Sequence, residues 1–116
     1  MDPEAIQDLF QELGPVRTRR MFGGQGVYFQ GRIFALEVGG EIYLKTDAEL
    51  RPRLAAAGSR AFAYTKGGTA YQTSYWLMPE EASEDPAAAA LWARLALDVA
   101  ARAEALKKPR ARRSAA

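Results

Sequence analysis

The sequence predicts an α+β fold with two layers, an antiparallel sheet of five to six strands covered by helices. Three observations carry this. Asp-Pro pairs at Asp2-Pro3 and Asp85-Pro86 each open a segment with helical apolar spacing. Between these segments lie short runs rich in β-branched and aromatic residues, from Val16 to Lys45 and from Ala61 to Met78. Gln30-Gly31, Gly39-Gly40 and Gly67-Gly68 separate the runs as hairpin connections would. The predicted order is α-β-β-β(-β)-α-β-β-α.

Each element follows from its residues. Asp2 suits a helix N-cap and Pro3 the first helical position, where a missing N–H costs nothing. Ile6, Leu9, Phe10 and Leu13 share one face, and Gly14-Pro15 stop the helix. From Val16 to Arg20 the arginines alternate as on a half-exposed or edge strand. Val27–Gln30, Ile33–Val38 and Glu41–Lys45 form a meander.

Two registers compete at Gly39-Gly40. A two-residue loop pairs Leu36 with Tyr43 and separates Ile42 and Leu44 from Phe34 and Leu36. A three-residue loop, Val38-Gly39-Gly40, places Phe34, Leu36, Ile42 and Leu44 on one face. Each such burial is worth roughly 1.5–3 kcal/mol. That favours the three-residue loop, with Tyr43 and Lys45 on the other face.

Thr46 and Glu49 fit a capping box. Pro52 would break a helix running from there, so a helix from near Arg51 to Ala57, ended by Gly58, is expected. Ala61–Lys66 and Tyr71–Met78 read as strands, the second ended by Pro79. The last helix is expected to reach about Leu106. Its apolar stripe is Ala88, Leu91, Trp92, Leu95, Val99, Ala103 and Leu106, and Arg94, Asp98 and Arg102 pair along an exposed side.

Composition narrows the function. The 116 residues suit one domain, and 48% hydrophobic with 26% charged residues is a globular balance. No run approaches the length of a membrane span, and the acidic, amphipathic N-terminus is wrong for a signal peptide, so a cytoplasmic location is expected. Cysteine and histidine are absent. Disulfides, Cys/His zinc sites and histidine-based triads are therefore excluded. The acids are scattered, which does not suit Mg²⁺ or Ca²⁺.

Of the net charge of +2, the last ten residues contribute five cations: Lys107, Lys108, Arg110, Arg112 and Arg113. Residues 1–106 sum to −3, so a whole-domain nucleic-acid surface is not implied. Residues 1–106 are expected to form the domain and 107–116 a disordered basic tail, capable of nonspecific phosphate contacts.

Four groups hold candidate chemistry. Gly23-Gly24-Gln25-Gly26 lacks both the dinucleotide fingerprint and the Lys-Ser/Thr of a phosphate loop, and reads first as a turn or bulge. Arg17, Arg19 and Arg20 read as edge protection paired to Glu37 or Glu41, or else as a partner or phosphate patch. Lys45 reads as solvated, or as an anion site beside Tyr43. Tyr71, Tyr75 and Trp76, with other aromatics, read as packing or as a base-stacking surface.

Arg20-Met21-Phe22-Gly23-Gly24, Gly26-Val27-Tyr28, Gly31, Ile33–Leu36 and Glu41–Lys45 with Asp47 resemble the N-terminal domain of the TfoX/Sxy competence regulators. Arg51-Pro52, Gly58, Phe62, Tyr64, Tyr75-Trp76 and Pro79-Glu80 continue the likeness, which spans roughly Ile6 to Ala105. The resemblance implies a two-layer α+β fold like that of secretion chaperones and a non-enzymatic regulatory or adaptor role in DNA uptake. It implies no cofactor, metal or catalytic residue. The partner would be a protein, such as transcription machinery or an activator, with weak nucleic-acid binding or a homodimer as further readings. A more distant similarity to YjbR-type proteins suggests DNA binding. Expected partner contacts are Arg17, Arg19, Arg20, Met21, Phe22, Gly23, Gly24, Lys45, Tyr75 and Trp76. Two alternatives stay open: nucleic-acid binding through Arg17, Arg19, Arg20 and the tail, and a small-ligand or enzyme site at Gly23–Gly26 and Lys45.

Overall fold

A computed structural model of the chain describes residues 1–21 and 23–115, with side chains placed as far as residue 107. The elements run α1 (Pro3–Leu9), β1 (Arg17–Met21), β2 (Gly24–Phe29), β3 (Arg32–Val38), β4 (Glu41–Lys45), α2 (Arg51–Ala56), β5 (Ala61–Lys66), β6 (Thr69–Leu77) and α3 (Pro86–Ala115). A 3₁₀ turn, Glu80–Ala82, joins the sheet to α3. The predicted order of helices and strands stands. The tail cations Lys108, Arg110, Arg112 and Arg113 lie outside the described side chains, as does Phe22.

The strands form one open antiparallel sheet in the order β1-β2-β3-β4-β6-β5. The Asp2 carboxylate accepts the Ala5 N–H at 2.8 Å and starts α1. The Gln7 side chain clasps both backbone groups of Val16, fixing how α1 leads into β1. Ile6, Leu9 and Phe10 of α1, Leu54 of α2, and Ala89, Ala93, Ala96 and Val99 of α3 join one core with Val27, Phe34, Ala35, Ile42 and Leu44. The helices therefore cover one face of the sheet. Phe10 meets Phe34 edge-on at 5.2 Å.

The β3–β4 register differs from the expected one. Val38 pairs with Glu41 and Leu36 with Tyr43, so the loop is the two residues Gly39-Gly40. Both glycines have positive φ, +60° and +88°, the requirement of the tight hairpin turn that matches strand twist. The apolar penalty that argued against this register is removed by an irregularity. Val27 pairs with Ala35 but Tyr28 pairs with Ile33, leaving Phe34 as the extra residue of a bulge. Phe34 thus joins Ala35, Ile42 and Leu44 in the helix-side core, while Leu36 is buried outside that core.

Helix α3 is turned from the expected stripe. Ala89, Ala93, Ala96 and Ala100 are buried, whereas Leu91 is 62% exposed and Leu106 77%. Alanines at this spacing line one face and let the helix axis approach the sheet closely. Leu95 and Trp92 flank that face, half-buried.

The charged residues of α3 also reach outward. Arg102 pairs with Asp47 at 2.8 Å and Glu49 at 3.4 Å, and Arg94 donates to the Glu12 carbonyl. These contacts tie α3 to other elements, and of the pairs expected along the helix only the charge of Asp98 acting on Arg102 is kept, weaker than Asp47 and Glu49. Asp47, not Thr46, caps the turn that leads into α2 by accepting the Glu49 and Leu50 N–H groups, while the N-cap position of α2 itself, Leu50, has no side-chain cap. Thr46 instead donates its hydroxyl to the Ser74 carbonyl, joining β4 to β6.

Candidate functional site

The two faces of the sheet differ. One carries the helices. On the other, register places Arg17, Arg19 and Met21 of β1, Tyr28 of β2, Leu36 and Val38 of β3, Tyr43 and Lys45 of β4, and Tyr75 of β6. This face is apolar at its centre and carries none of the described helices.

A groove of about 540 Å³ lies on it, lined chiefly by Met21, Leu36, Val38, Phe62, Tyr64 and Tyr75. Lys66 stands at its β5 end. β1 and β5 are opposite edges of the sheet, yet both border this groove. The sheet is therefore curled, and its helix-free face is concave.

Local chemistry explains the curl. β5 pairs Ala61 with Trp76 but Ala63 with Gln72, so β6 has excess residues opposite Phe62. The Thr73 hydroxyl donates to the Phe62 carbonyl at 2.9 Å and accepts the Tyr75 N–H at 3.1 Å. These bonds satisfy backbone groups that the broken ladder leaves unpaired. Phe62 lies against Tyr43 at 4.8 Å, and Tyr64 stacks on Tyr71 at 5.5 Å.

Glycine shapes the other wall. A Cβ on Gly24 would sit 2.1 Å from the Glu37 carbonyl oxygen, so only glycine lets β2 run this close to β3. At Gly26 the missing side chain leaves room filled by Met21, Tyr28 and Ile33. Gly24 and Gly26 are thus packing positions inside strand β2 and not the turn or bulge expected there, which only Gly23, with its positive φ, matches.

The electrostatics of the two faces are opposed. Glu37 is buried on the helix side, where Gln25, the Gly40 N–H and the Met1 amine donate to it. Burial pushes its carboxyl up, but these donors together bring it below the usual range. On the helix-free face the Lys45 ammonium lies 5.6 Å from the Tyr75 ring centre. Burial, and then the nearby Tyr28, raise the Tyr75 hydroxyl above its ordinary value.

The structure gathers part of the expected contact set. Met21 and Tyr75 line the groove, Lys45 sits beside it, and Arg17 and Arg19 stand at the β1 edge of the same face. Arg20 points by register to the other side, opposite Gln25, and Gly23 and Gly24 lie at the hairpin end. Trp76 pairs with Leu44 and packs against the helix-side core, away from the groove. The pairing of Arg17, Arg19 or Arg20 with Glu37 or Glu41 is not found among the described residues; Glu37 has other partners. Lys45, read as solvated, is half-buried.

Leu36, Val38, Phe62 and Lys66 are additions to the expected site, whereas Tyr64 belongs to the aromatics read from the sequence as packing or a base-stacking surface. The available signal is in β3, where apolar residues occupy both alternating positions from Ile33 to Leu36. Such a run marks a strand buried on both faces.

A family model described as the TfoX N-terminal domain matches residues 8–100. The chain belongs to this family. The matched span of the TfoX N-terminal domain holds all six strands, α2 and the part of α3 that packs on the sheet, so the groove lies wholly within it. The chain is also 27% identical over 84 residues to the "DNA transformation protein TfoX1" of Aliivibrio fischeri (strain ATCC 700601 / ES114), a span of 72% of this chain and 40% of that protein. The likeness thus covers well under half the length of that TfoX relative. No helix among the described residues is long and apolar enough to cross a membrane.

Proposed function

We propose that this chain is a non-enzymatic regulatory adaptor of DNA transformation that docks a cytoplasmic protein partner through its helix-free sheet face. The observation that carries the reading is the groove. Leu36, a central-strand residue outside the helix-side core, sits among Val38, Phe62 and Tyr75 on a concave face that carries none of the described helices. Apolar patches of this kind mark interaction sites more often than chance exposure. Family membership and the printed name of the relative support the transformation setting. The sequence offers no histidine or cysteine for acid–base or nucleophilic work, and the groove lining holds no carboxylate.

The test is made in cells that depend on this chain for DNA uptake. Leu36→Glu and Phe62→Glu should abolish transformation and the rise in uptake-gene transcripts, while circular dichroism of each purified variant stays native. Full transformation by a folded groove variant would refute the adaptor reading. The nucleic-acid reading retains one observation, the exposure of Arg17, Arg19 and Arg20 on edge strand β1. Sequence-selective duplex binding lost in Arg19→Ala or Arg20→Ala would promote it.

A further inference from the structure

The helix-free face has a charge of its own. By register and groove lining it carries Arg17, Arg19, Lys45 and Lys66 against a single acid, Glu41. Residues 1–106 as a whole sum to −3, so the cations are concentrated here. The acids with ion-pair partners lie elsewhere: Glu37, Asp47, Glu49 and Glu104 pair with the Met1 amine, Arg102 and Arg32. Among the described residues none of the four cations on this face has an ion pair, and each is available to a partner.

We infer that the groove receives an acidic, amphipathic peptide segment of a partner protein. Apolar side chains of that segment pack on Leu36, Val38 and Phe62, and its carboxylates reach Lys45, Lys66 and Arg19. This rests on the adaptor reading and names the chemistry of its partner. The groove, lined by aliphatic Leu36 and Val38 with Met21, Phe62, Tyr64 and Tyr75, is about 540 Å³ in volume, within the range that takes a few side chains. The cations stand around that floor instead of within it, the arrangement of an apolar interface centre with a charged rim. Complementary rim charge steers association and selects the partner.

Two other occupants fit the face less well. A second copy would bring like charges together, because a two-fold contact sets each patch against itself. Single-stranded nucleic acid needs aromatic faces open for stacking. Here the central strand β3 offers aliphatic Ile33, Leu36 and Val38, and Tyr43 lies against Phe62, while the exposed aromatic pair, Tyr64 stacked on Tyr71, stands on β5 and β6, across the sheet from Arg17 and Arg19 on edge strand β1.

The test pans a random-peptide display library on the full-length chain. Recovered peptides are synthesised and titrated by fluorescence anisotropy against wild type, Leu36→Glu, Lys45→Glu and Lys66→Glu. Peptides that lose about tenfold or more in affinity on Leu36→Glu are groove-dependent, and Val38→Glu replaces that variant if it does not fold. Groove-dependent peptides should be net acidic with apolar anchors. Lys45→Glu and Lys66→Glu should each weaken them by about two- to fivefold, a loss that shrinks at high salt. The inference is overturned by groove-dependent peptides that are neutral or basic, or by recovery of none. Oligothymidylate binding lost in Leu36→Glu would also overturn it, as would a solution dimer that this variant splits. Any of these leaves the adaptor reading standing as long as the groove variants still abolish transformation in cells. Failure of the cell assay alone removes the adaptor role without touching the peptide result.

Discussion

Ala93→Leu tests which face of α3 meets the sheet. Ala93 is fully buried and lies between Ala89 and Ala96 on the face that closes the core. Leucine adds an isobutyl branch where the helix axis sits close to the strands. Overpacking of this kind costs about 1–3 kcal/mol, because neighbours leave their rotamers or the helix moves outward. In a domain of this size that lowers Tm by roughly 4–12 °C. Leu91→Ala is the control. Leu91 is 62% exposed, so its truncation should change stability by less than about 0.5 kcal/mol, with alanine's helix propensity acting in its favour. Urea unfolding of both variants should show a lower midpoint for Ala93→Leu at an unchanged slope, and an unmoved midpoint for Leu91→Ala. A reversed order, with Leu91→Ala destabilising and Ala93→Leu neutral, would refute the assigned face and restore the leucine stripe.

Two further outcomes are expected. Gly24→Ala should destabilise by about 1–3 kcal/mol, since its Cβ would lie 2.1 Å from the backbone oxygen of Glu37 and only a shift of β2 against β3 relieves that; an unchanged urea midpoint would sink the close-approach argument. Acid should also weaken the fold through Glu37 and Asp47. For each, burial raises the carboxyl, but the hydrogen bonds and charges around it bring the folded-state value below the ordinary one. Their stabilisation is therefore complete above the unfolded values of about 4.3 and 3.9, and is lost as pH falls through the depressed folded values. A Glu37→Gln, Asp47→Asn chain should be less stable than wild type at neutral pH and show a flatter decline below about pH 4.5, followed by urea midpoint against pH. An equally steep acid decline in that variant would remove both groups from the account.

The sequence and the structure agree where one local rule acts alone. Asp2-Pro3 and the helix spacing after it place α1, and Pro52 places the start of α2. They part where two rules compete. At Gly39-Gly40, turn chemistry called for a two-residue loop and apolar face-matching for a three-residue one. Turn chemistry prevailed because the bulge at Phe34 recovers the burial that the register alone would lose. A one-residue slip in pairing does not announce itself in composition, since Ile33 to Leu36 is apolar on both alternations. The same ambiguity hid the groove. With β3 buried on both faces, Leu36 has to be assigned to a side by its partner Tyr43, and that pairing comes from the turn.

The alanine face of α3 was obscured for a different physical reason. Side-chain hydrophobicity ranks leucine above alanine, so a stripe drawn by ranking runs through Leu91. Packing ranks by distance of approach as well. A helix laid on a sheet through small residues brings many backbone and Cβ atoms into contact, and the larger side chains are then pushed to its flanks. Trp92 and Leu95 take those flanks, half-buried, while Leu91 is left in solvent. Close seating of α3 places Val99 and Ala100 near the far end of the sheet, where Arg102 reaches Asp47 in the loop before α2. That loop leads directly from β4, and the neighbouring Thr46 holds Ser74 of β6 in the stretch where the β5–β6 pairing breaks. The helix side thus fixes the strand ends whose bend forms the groove wall on the opposite face. Mutations in α3 should accordingly act on partner binding only through the fold, whereas Leu36, Lys45 and Lys66 should act on it directly. Binding lost in a folded α3 surface variant such as Leu91→Ala would place the partner on the helix side and overturn the division of the sheet into a structural and a functional face.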